Sequence, residues 1–472
     1  MKNLKEVLKF IGLFLLLIAI YFVLLTVVSM FPSKLISENI RESADYLIEK
    51  SESEKIELSY KNVYIFQFTN ALMLNTAYSI DSTSPIESFL VARKNYIPGV
   101  TQVIHEKTPK DLQSAAKYYS ENSKSTDAYQ ILELYDTIYE NELYESFEYA
   151  RYWHGYLVYL RPLLLLFNYE QIELLSTVVF LLLLVAVAIL VCKKVNPLIA
   201  ISLILSFLAV DIHTISVSIN EVTCFTLALI FALYILLRDE KIQRLGMLFF
   251  IIGSVTNFID FLTNPILTYA IPILIYFLLL QRKRAVTIKE TIKIYFKTSI
   301  LWALGYGLTW ATKWILTDLI LNKGIIENAL EQAKFRANDN KYTVEQLYKC
   351  LMVFISEKTV DFIWKTSIIF MLTQLVLNIL NKVKNRSKDK KDEKNNVVTG
   401  IKIKAFLLAK LRDIFPYFIG IFIPIAWYAV LFNHSVVHRF FTYRNVLVIF
   451  FSFQTMLIMF ARNKKTELKD DD

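Results

Sequence analysis

Apolar residues in this chain come in long blocks separated by basic or mixed polar stretches, rather than in the short periodic alternation of a soluble core. A helix that crosses a bilayer needs ~20 mostly apolar residues. The blocks near 8 to 31, 172 to 192, 197 to 211, 222 to 237, 245 to 262, 266 to 280, 298 to 321, 361 to 381, 414 to 432 and 445 to 461 predict ten crossings. Gly12 to Met30 has no charged residue, and the Ser-Met-Phe-Pro-Ser that ends it is a poor cleavage site, so this block reads as a retained first helix. The blocks at 197 and 266 are short. Pro265 and Pro272 leave two readings open for the latter: a broken crossing that walls a pocket, or a tilted or longer helix.

Charge orients the path. Lys2, Lys5 and Lys9, Lys193-Lys194, Arg238 to Arg244, Arg282 to Arg284, the Lys-rich run 382–413 and the tail 462–472 all fall on one side of an alternating ten-span chain. Short basic loops stay in the cytoplasm, which places both termini there and the protein in the cell membrane. The net charge of +9 is thus first a topology signal and second an attraction to anionic lipids; it does not point to nucleic acid. The expected fold is all-α integral membrane. Its parts are a first helix at 1–31, an extracytoplasmic segment at 32–171, spans at 172–321, a second external segment at 322–360 and further spans at 361–461.

The first external segment has apolar residues at helical intervals, as in Leu112, Ala115, Ala116 and Tyr119, and again in Ala128, Ile131, Leu132 and Tyr135. Residues 62–77 begin with β-branched and aromatic types. A mainly helical cap with one short hairpin is expected. The second segment reads as one or two amphipathic helices, the first around Ile325, Ile326, Leu330 and Phe335 and the second around Val344, Leu347, Leu351 and Val353.

Candidate chemistry gathers on the external side. Arg151, His154 and Arg161 lie among Tyr149, Tyr152, Trp153 and Tyr156, where the residues serve either as an interfacial belt or as a phosphate dock. Asn433 to Arg444 holds His434, His438, Arg439 and Arg444, with the two histidines on one helical face. Their spacing lacks the Glu of a zinc-protease helix, so no metal is assigned, and the three cysteines form no CxxC pair. His105 and His213 complete the external histidines. Carboxylates near the same boundary are Glu38, Glu42, Asp45, Asp211, Glu221 and Asp260, of which Asp211 follows directly on apolar sequence. Lys313 is the best intramembrane cation, with Asp318 as a nearby partner.

A first helix, a large first loop, many further crossings and a second loop after the seventh resemble the GT-C type of membrane glycosyltransferase, and the stretches 149–162, 258–265 and 433–444 look like segments of uncharacterised bacterial multi-pass proteins of this general type. The resemblance covers most of the chain, chiefly in topology. It implies a sugar donor linked to polyprenyl phosphate, and a catalytic base among the acids after the first helix, Glu38, Glu42 or Asp45, with Asp211 as a further carboxylate. None of these acids sits in a recognisable motif. Arg161, Arg439 and Arg444 are the expected contacts of the leaving phosphate, seconded by Arg151, His154 and His438. The cofactor is left open. A transporter or flippase of an envelope lipid or polymer and a non-catalytic membrane scaffold are the competing classes, although no internal repeat supports transport.

Overall fold

The computed structural model describes residues 2–53, 55–58, 61–64, 68–96, 127–139, 145–238, 244–337, 343–352, 355, 357–386 and 399–462. His105 and the predicted helix around Leu112 to Tyr119 lie outside them. The described chain is almost wholly helical. Seven helices are long and apolar enough to cross a membrane, at Leu4–Ser29, Tyr169–Lys194, Ile219–Arg238, Ile266–Lys283, Lys358–Leu380, Phe406–Val430 and Arg439–Ala461.

In chain order, α1 (Lys2–Ser29) is followed by α2 (Ser37–Ser53), α3 (Phe68–Tyr78), α4 (Pro85–Val91), α5 (Asp127–Tyr139) and α6 (Leu157–Leu164). Two antiparallel pairs accompany them. β1 (Lys55–Leu58) and β2 (Lys61–Tyr64) form a hairpin, whereas β3 (Arg93–Tyr96) and β4 (Glu145–Glu148) pair across α5 with Arg93 opposite Glu148. The segment after α1 therefore has two small sheets where one hairpin is expected.

The bundle continues with α7 (Tyr169–Lys194), α8 (Pro197–Leu208), the single turn α9 (Ile212–Ile215), α10 (Ile219–Arg238), α11 (Leu245–Ile259) and α12 (Ile266–Lys283). Helix α7 opens with a full capping box between Asn168 and Gln171. Helix α12 runs through Pro272 and is buried along most of its length, so the longer-helix reading describes it. Next come α13 (Ile288–Leu321), α14 (Ile325–Ala337), α15 (Val344–Met352), α16 (Glu357–Arg386), α17 (Thr399–Val430), α18 (Phe432–Val437), the turn α19 (Arg439–Thr442) and α20 (Val446–Ala461).

The expected crossings at 197–211 and 245–262 are the shorter apolar helices α8, of 12 residues, and α11, of 15. The crossing expected at 298–321 is the end of α13, a 34-residue helix that starts at Ile288. At 1.5 Å per residue α13 spans roughly 50 Å, more than a hydrocarbon core, so its polar first turns extend beyond the apolar stretch. Helices α16 and α17 likewise run into the Lys-rich stretch between them, because Lys and Arg are compatible with helix.

One apolar core fills the space between α7, α8, α10, α11, α12, α13, α17 and α20. A second ties the inner face of α1 to α2, α3, α5 and α6. Two buried cations act on that second unit through backbone carbonyls: Arg161 braces it internally, and Lys313 ties it to the bundle. Arg161 donates Nε to Val28 O at 2.9 Å and its two terminal nitrogens to Ala77 O and Phe31 O. The fork thus joins the end of α1 to the end of α3. Lys313 of α13 donates to Leu90 O at 2.5 Å and Phe89 O at 3.3 Å, closing the C-terminus of α4. Asp318 is not its partner: that carboxylate accepts from Ile325 N at 2.6 Å and Ile326 N at 3.0 Å and caps α14.

Helices α11 and α13 make the most extensive helix pairing among the described residues, and small residues permit it. A Cβ on Gly253 would overlap Trp302 O, and one on Gly305 would overlap Phe250 O. Both obstacles are backbone atoms, which cannot rotate away. We predict that Gly253→Ala or Gly305→Ala lowers folded yield and shifts thermal aggregation of the purified protein downward, whereas Gly307→Ala, whose added Cβ meets nothing, leaves both near wild type. Equal behaviour of Gly305→Ala and Gly307→Ala would contradict the packing.

Candidate functional site

Helix α11 ends at Ile259, and the chain turns sharply before α12. The turn is built by its own side chains. Asp260 accepts from Thr263 N at 3.0 Å and Thr263 Oγ1 at 2.5 Å, and Thr263 also reaches Cys224 Sγ of α10 at 3.6 Å. Leu262 takes a left-handed φ of 64°, an uncommon position for a branched side chain that the surrounding bonds must hold.

Two distant segments satisfy this turn. Gly155 N donates to Phe258 O at 2.9 Å, and a Cβ at Gly155 would overlap that same carbonyl. The ring of Phe261 then sits among Tyr149, Tyr152, His154 and Tyr156, with centroids 5.9, 5.4, 4.9 and 5.0 Å away. From the other side His434 Nε2 donates to Leu262 O at 2.8 Å. The segments 149–162, 258–265 and 433–444, separate in sequence, thus meet at one junction.

Helix α14 supplies a cation to it. Arg336 Nη1 donates to His434 Nδ1 at 2.9 Å. An acceptor Nδ1 makes Nε2 the protonated nitrogen, which agrees with its bond to the Leu262 carbonyl, and the ring is neutral. His438 lies over His434 with centroids 4.6 Å apart and stacks on Phe441 at 5.3 Å. Burial pushes His434 well below the ordinary histidine range and His438 down to about 4, and the Arg336 charge adds to both shifts. Arg439 is exposed beside them.

Aromatic groups brace the same junction. The Arg151 carbonyl accepts from Trp310 Nε1 at 2.8 Å and Trp314 Nε1 at 3.0 Å, Arg151 Nη1 donates to Asn328 Oδ1 at 2.9 Å, and Tyr152 stacks on Trp310 at 5.7 Å. Asn264 is wholly buried in the turn, and neither end of its amide is hydrogen-bonded.

Arg444 belongs to a neighbouring cluster at the start of α10, one helical turn from Cys224. It ion-pairs with Glu221, Nη2 donates to Thr214 Oγ1 at 2.8 Å, and Tyr443 OH donates to Asp211 Oδ2 at 2.6 Å. Asp211 holds a left-handed φ of 60°. Of the expected site residues, Arg444 and Asp211 come together here, and His438 and Arg439 share the adjacent junction. A desolvated pair of this kind adds little net stability, yet removing one partner typically costs about 3–5 kcal/mol because the other charge is stranded.

The remaining candidates lie elsewhere. Arg161 is committed to its carbonyl cage; burial lowers it to about 10, so it stays charged at neutral pH. Glu38 is exposed and pairs with Arg41 at 3.4 Å, and Glu42 accepts from Asn168 Nδ2 at 2.8 Å. Asp45 accepts from Tyr139 OH at 2.9 and 2.7 Å, and partial burial raises its pKa. His154 ties Tyr149 O at 2.8 Å to Tyr156 OH at 3.2 Å, and burial drives it down to about 3. His213 is exposed. Among the described residues no group of three His, Cys, Asp or Glu is placed to hold a metal ion.

Sequence reasoning noted Glu221 and Asp260 only as boundary carboxylates and passed over Arg336. The three-residue step from Asp260 to Thr263 before a proline is a turn signal that marks Asp260, whereas nothing local to α14 identifies Arg336.

Because His154 and His438 are held neutral, the unfolded chain takes up protons near pH 6.5 that the native chain refuses. Their contribution is therefore complete above about pH 6.5 and lost as pH falls toward 4. We expect the thermal midpoint in detergent to drop between pH 7.5 and pH 5, and His438→Gln to shrink that drop. An identical acid response in wild type and variant would contradict the neutral assignment.

The chain matches no family model, no curated protein and no solved structure.

Proposed function

We propose that the protein is a ten-span membrane protein with cytoplasmic termini and external segments at 32–171 and 322–360, and that it transfers a sugar from a polyprenyl-phosphate donor in the manner of GT-C enzymes. The observation that supports this reading best is the bonding of Arg336 through His434 to the turn that also holds Asp260 and the 149–162 segment, with His438 packed on His434 and Arg439 exposed next to it in the chain. Cations at the edge of an apolar bundle suit a lipid phosphate whose chain lies among helices.

The chemistry balances simply. Asp260, the carboxylate of this turn, exchanges its bond from Thr263 Oγ1 for one from the acceptor's hydroxyl and takes that proton; the hydroxyl oxygen bonds to the anomeric carbon; and the bond from that carbon to the phosphate oxygen breaks. The lipid phosphate then departs with both bonding electrons, its charge met by Arg439 and Arg336. Arg444 is better suited to positioning, since Glu221 and Thr214 already occupy its terminal nitrogens.

Two experiments test the proposal. With the three native cysteines replaced by serine, Glu170→Cys should react with an impermeant reagent in intact cells and Lys289→Cys only after permeabilisation; the reverse would overturn the orientation. Purified protein should turn over at least one of a panel of polyprenyl-phosphate sugars. Arg439→Ala should reduce that turnover about 10²-fold at unchanged folded yield, the usual effect of losing one donor to developing charge. If no donor is consumed and Arg439→Ala and Asp260→Asn leave the cellular phenotype intact, the scaffold class takes its place.

A further inference from the structure

At the opposite end of the bundle, between the first turns of α1, α11 and α13 and the side of α12, lies a cavity of about 500 Å³. Its walls carry Arg244, Lys293, Lys297, Glu6 and Glu290. The two carboxylates are already matched: Glu6 takes Lys9 at 2.6 Å, and Glu290 takes both terminal nitrogens of Arg284 at 2.9 and 2.5 Å. Among the described residues Arg244, Lys293 and Lys297 form no ion pair, so the cavity holds three uncompensated positive charges. Lys293 and Lys297 are four apart on α13 and project from one face.

A second feature adds to this charge. The first residues of α11, Leu245 to Met247, line the cavity, and no side chain caps that helix. Their backbone N–H groups and the positive end of the helix dipole favour an anion at this point. Gly246 lets the stem of Lys297 lie against the backbone, since an added Cβ would come within 3.0 Å of Lys297 Cε.

The surroundings indicate where the anion comes from. Phe10, Leu245 and Ile294 contribute apolar wall, and Ile292 and Phe296, each directly before one of the lysines on α13, are exposed at 51% and 68%. A water-soluble anion has no use for such a rim, whereas a lipid needs one beside its headgroup.

We propose that this cavity binds the phosphate of an anionic phospholipid from the cytoplasmic leaflet, its phosphodiester held by Lys293, Lys297, Arg244 and the start of α11 and its acyl chains along α1 and α13. The inference rests on the membrane orientation proposed above and is independent of the sugar-transfer reading.

Native mass spectrometry of the delipidated full-length protein, titrated with phosphatidylglycerol or phosphatidylcholine, tests it. One phosphatidylglycerol per chain should bind in preference to phosphatidylcholine. Lys293→Gln with Lys297→Gln should weaken it about 30-fold, at ~1 kcal/mol for each basic residue near a membrane surface. Lys5→Gln with Lys289→Gln removes the same charge from exposed positions outside the cavity and should leave the affinity unchanged. Equal loss in both double variants, or no preference between the lipids, would overturn the site. Inorganic phosphate or glycerol 3-phosphate binding with the same lysine dependence and comparable affinity would reassign it to a soluble anion.

Discussion

A helix that ends inside an apolar bundle leaves its last carbonyls without water, and the end of α11 is such a place. An unpartnered buried carbonyl costs about 1–3 kcal/mol, so the turn from Phe258 to Pro265 is tenable only where other segments bring donors to it. Gly155 N and His434 Nε2 are those donors. Satisfying one turn therefore gathers the aromatic 149–162 segment, the α18–α19 segment and, through Arg336, helix α14. The same local demand that holds the fold also sets neutral histidines, cations and a carboxylate side by side.

The buried charges follow one rule with different partners. Arg161 and Lys313 are answered by carbonyls at helix ends; the first ties α6 to α1 and α3, the second fixes α4 against the bundle, and neither side chain is left for a ligand. Arg444 is answered by Glu221, and Tyr443 donates to Asp211 beside it. Arg439 stays exposed, and Arg336 gives a nitrogen to His434, an uncharged partner, and forms no ion pair among the described residues.

Much of this architecture was legible in the sequence because bilayer-length apolar blocks and helix caps are local signals. The all-α character, seven helices long and apolar enough to cross a membrane and two helices after α13 follow from them. The starts of α13 and α17 were not legible, because a Lys-rich stretch is equally compatible with helix and loop. The three segments that meet at the α11 turn could be singled out by composition, but their meeting could not, since Gly155–Phe258 and His434–Leu262 are bonds across 103 and 172 residues. Lys313 and Asp318 show the converse: sequence proximity suggested a pair, yet each found a nearer helix end that needed it.

The gathering of distant segments by the α11 turn is tested most directly by a double-mutant cycle between Arg336 and His434 on thermal stability. Arg336→Gln and His434→Gln, with their combination, should be non-additive by about 0.5–3 kcal/mol, because either substitution alone already breaks the chain of bonds from α14 to Leu262. Strict additivity of the two substitutions would show that α14, His434 and the turn do not form one junction, and the account built on it would fail.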